Sequence, residues 1–113
     1  LIEGAPSDEA ARTIGRTIAR SPLVKTAIYG ADPNWGRIVG AIGNSGVPLS
    51  SDRVDIYIGG VLIEYETLAE ASRKLSEKEI QIRVVLHSGS GFARVWTCDF
   101  TEDYIRINAD YTT

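Results

Sequence analysis

The sequence contains no methionine, one cysteine and one histidine in 113 residues, and each scarcity removes a class of explanation. Without methionine the chain cannot start at its own initiation codon. Leu1 is therefore expected to be a processed end or the first residue of a piece of something larger, with preparative proteolysis or disorder ahead of Leu1 as trivial alternatives. Cys98 alone cannot close an internal disulfide, which favours a reducing compartment. It lies in an apolar stretch with no basic neighbour to favour its thiolate, so it reads as buried and inert. His87 alone excludes a multi-histidine metal centre, and beside a turn it reads as a surface residue; no metal is expected. A basic surplus is also missing. Lys and Arg number 12 against 15 acids, interleaved to a net charge of −3, so no nucleic-acid partner is expected. No apolar run approaches the roughly 20 residues of a membrane helix, and nothing at the start reads as a signal or transit peptide. No membrane partner is expected either.

What remains is an ordinary globular balance, 43% apolar and 24% charged, in a length that suits one domain over residues 1–113. Ser7 followed by Asp8 and Glu9 marks a helix start, with Ala11, Ile14 and Ile18 on its buried edge and Ser21-Pro22 as its stop. Arg12, Arg16 and Arg20 share a face, read as a solvated ridge with Asp8–Arg12 as an i,i+4 pair rather than as a binding patch. Leu23 to Tyr29 reads equally as a short buried strand or a turn of helix. Val54 to Ile58 alternates as a strand, Gly59-Gly60 is a primed hairpin turn, and Val61 to Glu66 returns beside it. Thr67 caps a helix whose Leu68, Ala71 and Leu75 face inward. Ile80 to Leu86 is the clearest strand, and Phe92 to Phe100 returns after a turn over His87 to Gly91. Ser88-Gly-Ser-Gly91 resembles an anion-binding loop only superficially, since it joins two strands and opens no helix. Thr101 starts a short last helix. The order predicts an α+β fold, a mostly antiparallel sheet of hairpins covered by helices.

Two stretches carry more than architecture. In Lys25-Thr-Ala-Ile-Tyr-Gly-Ala-Asp-Pro-Asn-Trp-Gly-Arg37, Asp32 is placed to cap a helix that Pro33 opens. Trp35, Ile38, Val39 and Ile42 make one apolar stripe, with Trp35 as anchor. Gly36, Gly40 and Gly43 leave its flank bare for close approach of another backbone. Each glycine gives up about 1 kcal/mol of helix propensity, which calls for a packing or binding reason. The helix start could hold an anion, but Asp32 competes for the same amides, and capping is the preferred reading. The second stretch, Cys98 to Thr113, stays dense in aromatic and β-branched residues to its end. A free tail is normally polar and frayed, so this one is expected to be docked. Asn108 and Thr113 offer donors and acceptors suited to the zwitterionic head of an amino acid.

Together, the first run and Trp96-Thr-Cys-Asp-Phe-Thr-Glu-Asp-Tyr-Ile-Arg-Ile-Asn-Ala-Asp-Tyr-Thr-Thr113 resemble the ornithine acetyltransferase (glutamate N-acetyltransferase) family. The resemblance extends over essentially the whole chain and identifies it with the C-terminal part of the family's β chain. It implies a precursor that cuts itself ahead of a threonine, which then serves as N-terminal nucleophile. That threonine takes acetyl from N-acetylornithine and passes it to glutamate in arginine synthesis. By the same resemblance the nucleophile, the oxyanion-hole residues and a substrate-binding acid fall before Leu1, so no residue here is catalytic. The family's C-terminal asparagine and final threonine match Asn108 and Thr113 as substrate-binding residues. Asp32, Asn34, Trp35 and Arg37 are a motif near the site. Phe100 and Thr112 depart from the commoner leucine and arginine without disturbing the match. Further implications are an α chain and the rest of the β chain as partners in an α2β2 assembly and a cytoplasmic location (the mitochondrial matrix in a eukaryote). No cofactor is implied beyond acetyl-CoA as a substrate of two-function members. The rival reading is a non-enzymatic amino-acid-binding or interaction module. A third is a related acyltransferase of specialised metabolism.

Overall fold

Ser7 opens helix α1 (Asp8–Arg20) as expected: its hydroxyl accepts the Ala10 N–H at 3.1 Å, and Asp8 and Glu9 occupy the first turn. The structure, a computed structural model, describes residues 1–97. Ala11, Ile14, Gly15 and Ile18 form the buried edge of α1, while Arg12, Arg16 and Arg20 stay exposed. Asp8 does not serve Arg12. Its Oδ1 accepts the Phe92 N–H at 2.9 Å, a long-range bond to a strand that helix periodicity cannot reveal. Ser21 ends α1 and caps α2 (Pro22–Tyr29) through the Val24 N–H, with Pro22 in the first turn where its missing donor costs nothing. Leu23 to Tyr29 is thus a helix and not a strand. Helix α3 (Trp35–Asn44) follows.

Strand β2 (Asp55–Ile58) turns into β3 (Val61–Leu62) through Gly59 and Gly60, whose φ values of 56° and 83° suit a primed turn. The return strand stops at Leu62, well short of Glu66. There the Thr67 hydroxyl accepts the Glu64 N–H and donates to Leu62 O, folding Tyr65–Thr67 into a 3-10 turn. Thr67 is therefore spent upstream and makes no side-chain cap on α4 (Leu68–Lys74). Ala71 and Leu75 are buried, but Leu68 is exposed, contrary to the expected inward face.

Strand β1 (Ile2–Ala5), too short for alternation to announce, changes the topology. It lies between β4 (Ile82–Val85) and β5 (Gly91–Ala93) in a five-stranded sheet of order β3-β2-β4-β1-β5. β1 runs parallel to β4, with Ile2 beside Val84, and antiparallel to β5, with Ile2 beside Ala93. The expected β4–β5 hairpin is thereby corrected: residues 86–90 carry the chain past β1, not around a tight turn. The β2–β3 and β2–β4 pairs are antiparallel as well, so the α+β reading with a mostly antiparallel sheet stands. A Cβ at Gly91 would collide with the Ser7 carbonyl, so the approach of β5 to the start of α1 demands glycine.

The helices cover one face of the sheet. Ile2, Ile56, Ile58, Val84, Leu86 and Ala93 meet Ile14, Ile18, Ile38 and Ile42 in a single core. Each fully buried aliphatic chain contributes about 1.5–3 kcal/mol. Period-two alternation sends Glu3, Asp55, Tyr57, Arg83 and His87 to the opposite face, where they are half-buried or exposed.

Candidate functional site

The motif between α2 and α3 is held by its own polar groups. Ala31 takes a positive φ of 54°, and the Asp32 N–H returns to Ala27 O at 2.8 Å, reversing the chain after α2. The Ser72 hydroxyl of α4 donates to Ala31 O at 2.7 Å and fixes this reversal from the far side. The residue that caps α3 is Asn34, not Asp32: Asn34 Oδ1 accepts the Arg37 N–H at 3.0 Å. The helix starts two residues later than expected, at Trp35 instead of Pro33, and the Asp32 carboxylate accepts from Asn34 Nδ2 at 3.1 Å. Asp32 thus orients the cap without being it. Arg37 reaches across to donate to Leu23 O at 3.1 Å, joining α3 to the first turn of α2.

Trp35 is 44% exposed, so it does not anchor α3 as expected; the buried stripe is Ile38, Ala41 and Ile42. A residue in the first helical turn points back over the cap, and here that direction leads to solvent. The three glycines also differ from expectation. Nothing lies within 4 Å of a Cβ placed at Gly40 or Gly43, and only Asn34 Oδ1, at 3.5 Å, approaches one at Gly36. No described backbone uses the bare flank. Lys25, in the same motif, is buried to 4% exposure. The structure thus brings Asp32, Asn34 and Arg37 together as a brace between α2 and α3, with the Trp35, Arg37 and Ile38 amides bonded within the motif. Asn108 and Thr113, with Cys98 and the expected last helix, lie outside the described residues.

The exposed sheet face holds two charged arrangements that the sequence reading passed over. Arg83 donates through Nε and an Nη to both Glu3 oxygens, at 3.1 and 2.8 Å, and its guanidinium lies 5.0 Å from the Tyr57 ring centroid. The Arg83 hydrogen bonds hold the Glu3 carboxyl below its ordinary range, and Glu3 in turn raises Arg83. Beside them His87 Nε2 and Asp55 Oδ2 are 2.7 Å apart, and Arg53 lies 3.3 Å from the same oxygen. The hydrogen bond with His87, then the Arg53 charge, lowers the Asp55 carboxyl. His87 is on the surface as expected, but it is paired. Alternation places Asp55 with Tyr57 and Arg83 with His87; only the missed strand β1 was needed to add Glu3. Glu3–Arg83 and Asp55–Arg53 are ion pairs of the sheet, and neither arrangement has a hydroxyl or thiol nucleophile in its hydrogen bonds. Among the described residues, no three His, Cys, Asp or Glu side chains assemble as a metal site. No described helix is long and apolar enough to cross a membrane.

Comparison with known proteins gives a consistent result. The chain is 46% identical to the arginine biosynthesis bifunctional protein ArgJ of Parasynechococcus marenigrum, over 99% of this chain and 29% of that protein. It is 47% identical to the protein of the same name from Dehalococcoides mccartyi, with the same coverage. The crystal structure of ArgJ from Bacillus halodurans superposes with a TM-score of 0.84 at 43% identity, over 97% of this chain and 55% of that chain. The chain therefore spans less than a third of the length of these curated relatives. A sequence model of the ArgJ family matches residues 1–113, and the chain belongs to the ArgJ family.

Proposed function

We propose that this chain is the C-terminal segment of the β chain of an ornithine acetyltransferase. In that enzyme acetyl passes from N2-acetyl-L-ornithine to L-glutamate through an acetyl-threonine, in arginine biosynthesis. The observation that carries the reading is the ArgJ family match over residues 1–113, which includes both motif-bearing runs. The chemistry asks little of this segment directly. A threonine Oγ attacks the acetyl carbonyl, the amide C–N bond breaks, and ornithine departs with the proton that the threonine released. The glutamate α-amine then attacks the ester, and the hydroxyl is restored. Two moderate barriers replace one high one, and the α-amine of the threonine serves as its base.

Neither the nucleophile nor the oxyanion donors are assigned to residues 1–113. The segment's part is binding: Asn108 and Thr113 hold the amino-acid head, while the brace of Asp32, Asn34 and Arg37 stiffens the wall behind them. The internal satisfaction of that brace supports a structural role for it, because groups already bonded to one another have little left for a ligand. The reading carries with it an α chain and the rest of the β chain as partners in an α2β2 assembly, and a cytoplasmic location. It requires no metal and no cofactor, with acetyl-CoA an added substrate in two-function members. The test is Asn108→Ala in the complete enzyme. KM should rise for both amino-acid substrates by the equivalent of about 1–3 kcal/mol, the cost of one lost buried hydrogen bond. Unchanged KM values for both would remove Asn108 from the site.

A further inference from the structure

At the level of Ile2, where β1 begins, β4 and the chain that follows β5 both run on. On one side the β2–β4 ladder persists to Gln81, whose carbonyl accepts the Gly59 N–H at 2.9 Å. On the other side Val95 keeps the alternation of β5 beyond Ala93. A Cβ on Gly15 of α1 would fall 2.6 Å from Val95 Cγ2, so Val95 faces the helices as Ala93 does. Between these two edges, and over Ile18 and Ile28, lies an open groove of about 990 Å³ that Leu1 enters from one end.

The register says what the groove lacks. Leu1 N donates to Ile82 O at 2.9 Å and Leu1 O accepts from Val84 N at 2.8 Å, so Leu1 turns its backbone toward β4. By the alternation of the ladder, a residue ahead of Leu1 would turn toward β5 and stand opposite Val95. The residue ahead of that would offer its carbonyl to the Ile82 N–H. Burial of the Leu1 ammonium, then the Arg94 charge, lowers its pKa, as happens where a neutral amide N–H is the better fit.

We propose that this groove is a strand slot, filled by an extended polypeptide segment continuous with Leu1 that prolongs β1 between β4 and Val95. The occupant runs parallel to β4 and antiparallel to residues 94–97, and is recognised through backbone hydrogen bonds rather than through particular side chains. It belongs to the part of the longer family polypeptide that this chain does not span, which exceeds two thirds of the length of the relatives above. The inference rests on reading the chain as the C-terminal part of that polypeptide. Its test follows the sheet and not acetyl transfer, so either reading can fail alone.

Amide hydrogen exchange measured by NMR decides the matter. In the 113-residue chain, the Val95 and Ile82 N–H groups should exchange at least about tenfold faster than those of Ala93 and Val84. Acetylating the Leu1 amine supplies the one carbonyl that Val95 needs, and should slow Val95 while leaving Ile82 fast. In the longer polypeptide, both should slow to within about tenfold of Ala93 and Val84. Fast exchange of both in the longer polypeptide would overturn the proposal. So would full protection of both in the unmodified 113-residue chain, since residues 98–113 or a second copy would then fill the slot.

Discussion

Asn34 carries out a task that a reader of the sequence assigns to Asp32, and the difference can be measured. Asn34→Ala removes the side-chain acceptor that caps α3, and should cost about 1 kcal/mol in denaturant unfolding of the assembled protein. Asp32→Ala removes an exposed carboxylate that steadies the cap from outside, and should cost no more than about 0.5 kcal/mol. Equal losses would mean that the two residues share the cap. The confusion has a physical origin. Asp, Pro and Asn all favour helix starts, and only the chain reversal at Ala31 decides which of them stands one residue ahead of the first helical turn. Ser7 and Ser21 were legible as boundaries because each stands directly before its helix with no competing neighbour. Trp35 was not legible, since the stripe it joins by spacing is turned toward the core only from Ile38 onward.

Among the elements, the sheet depends on pairs whose partners lie far apart in sequence. Glu3–Arg83 and Asp55–His87 each join strands across the exposed face, and both carboxyl groups are held below their ordinary range. A carboxylate whose pKa is lower in the folded state stabilises the fold in full above its unfolded value, roughly pH 4. That contribution disappears as the pH falls through the folded value. Stability measured from pH 6 downward should therefore decline below roughly pH 4.5, and Asp55→Asn should remove part of the decline. Both pairs are partly solvated, so Asp55→Asn should cost less than about 1 kcal/mol at pH 6. An acid profile identical in wild type and variant would show that the His87 contact adds nothing. The β2–β3 hairpin was readable because its two glycines take the positive φ of a primed turn without strain. The place of β4 beside β1 was not, since parallel pairing leaves no mark on either strand alone.

At the scale of the whole molecule, seven large apolar side chains among the described residues stay exposed from Leu23 to Trp96, with Tyr65 at 90%, and the chain spans less than a third of its curated relatives. If the end of the chain reaches the amino-acid head as proposed, a tag fused after Thr113 should lower kcat/KM of the complete enzyme by at least about tenfold while leaving assembly intact. A tagged enzyme of full activity would separate Thr113 from the substrate. Family membership was legible because two motif-bearing runs, residues 25–37 and 96–113, both fall inside the match. The bare glycines of α3 remain without a described neighbour, and their packing reason is not among residues 1–97.

The seating of β1 between β4 and β5 also dictates when the protein can finish folding. Ile2 waits for Val84 and Ala93, so the centre of the sheet closes only after the ribosome has supplied some ninety further residues. At about 5–20 residues per second that delay is roughly 5–20 s, during which α1 carries an uncovered apolar edge through a crowded cell. Long-range closure of this kind folds slowly even afterwards. Nascent chains stalled before residue 82 should therefore be strong clients for holdase chaperones, and those released past residue 93 should be weak ones.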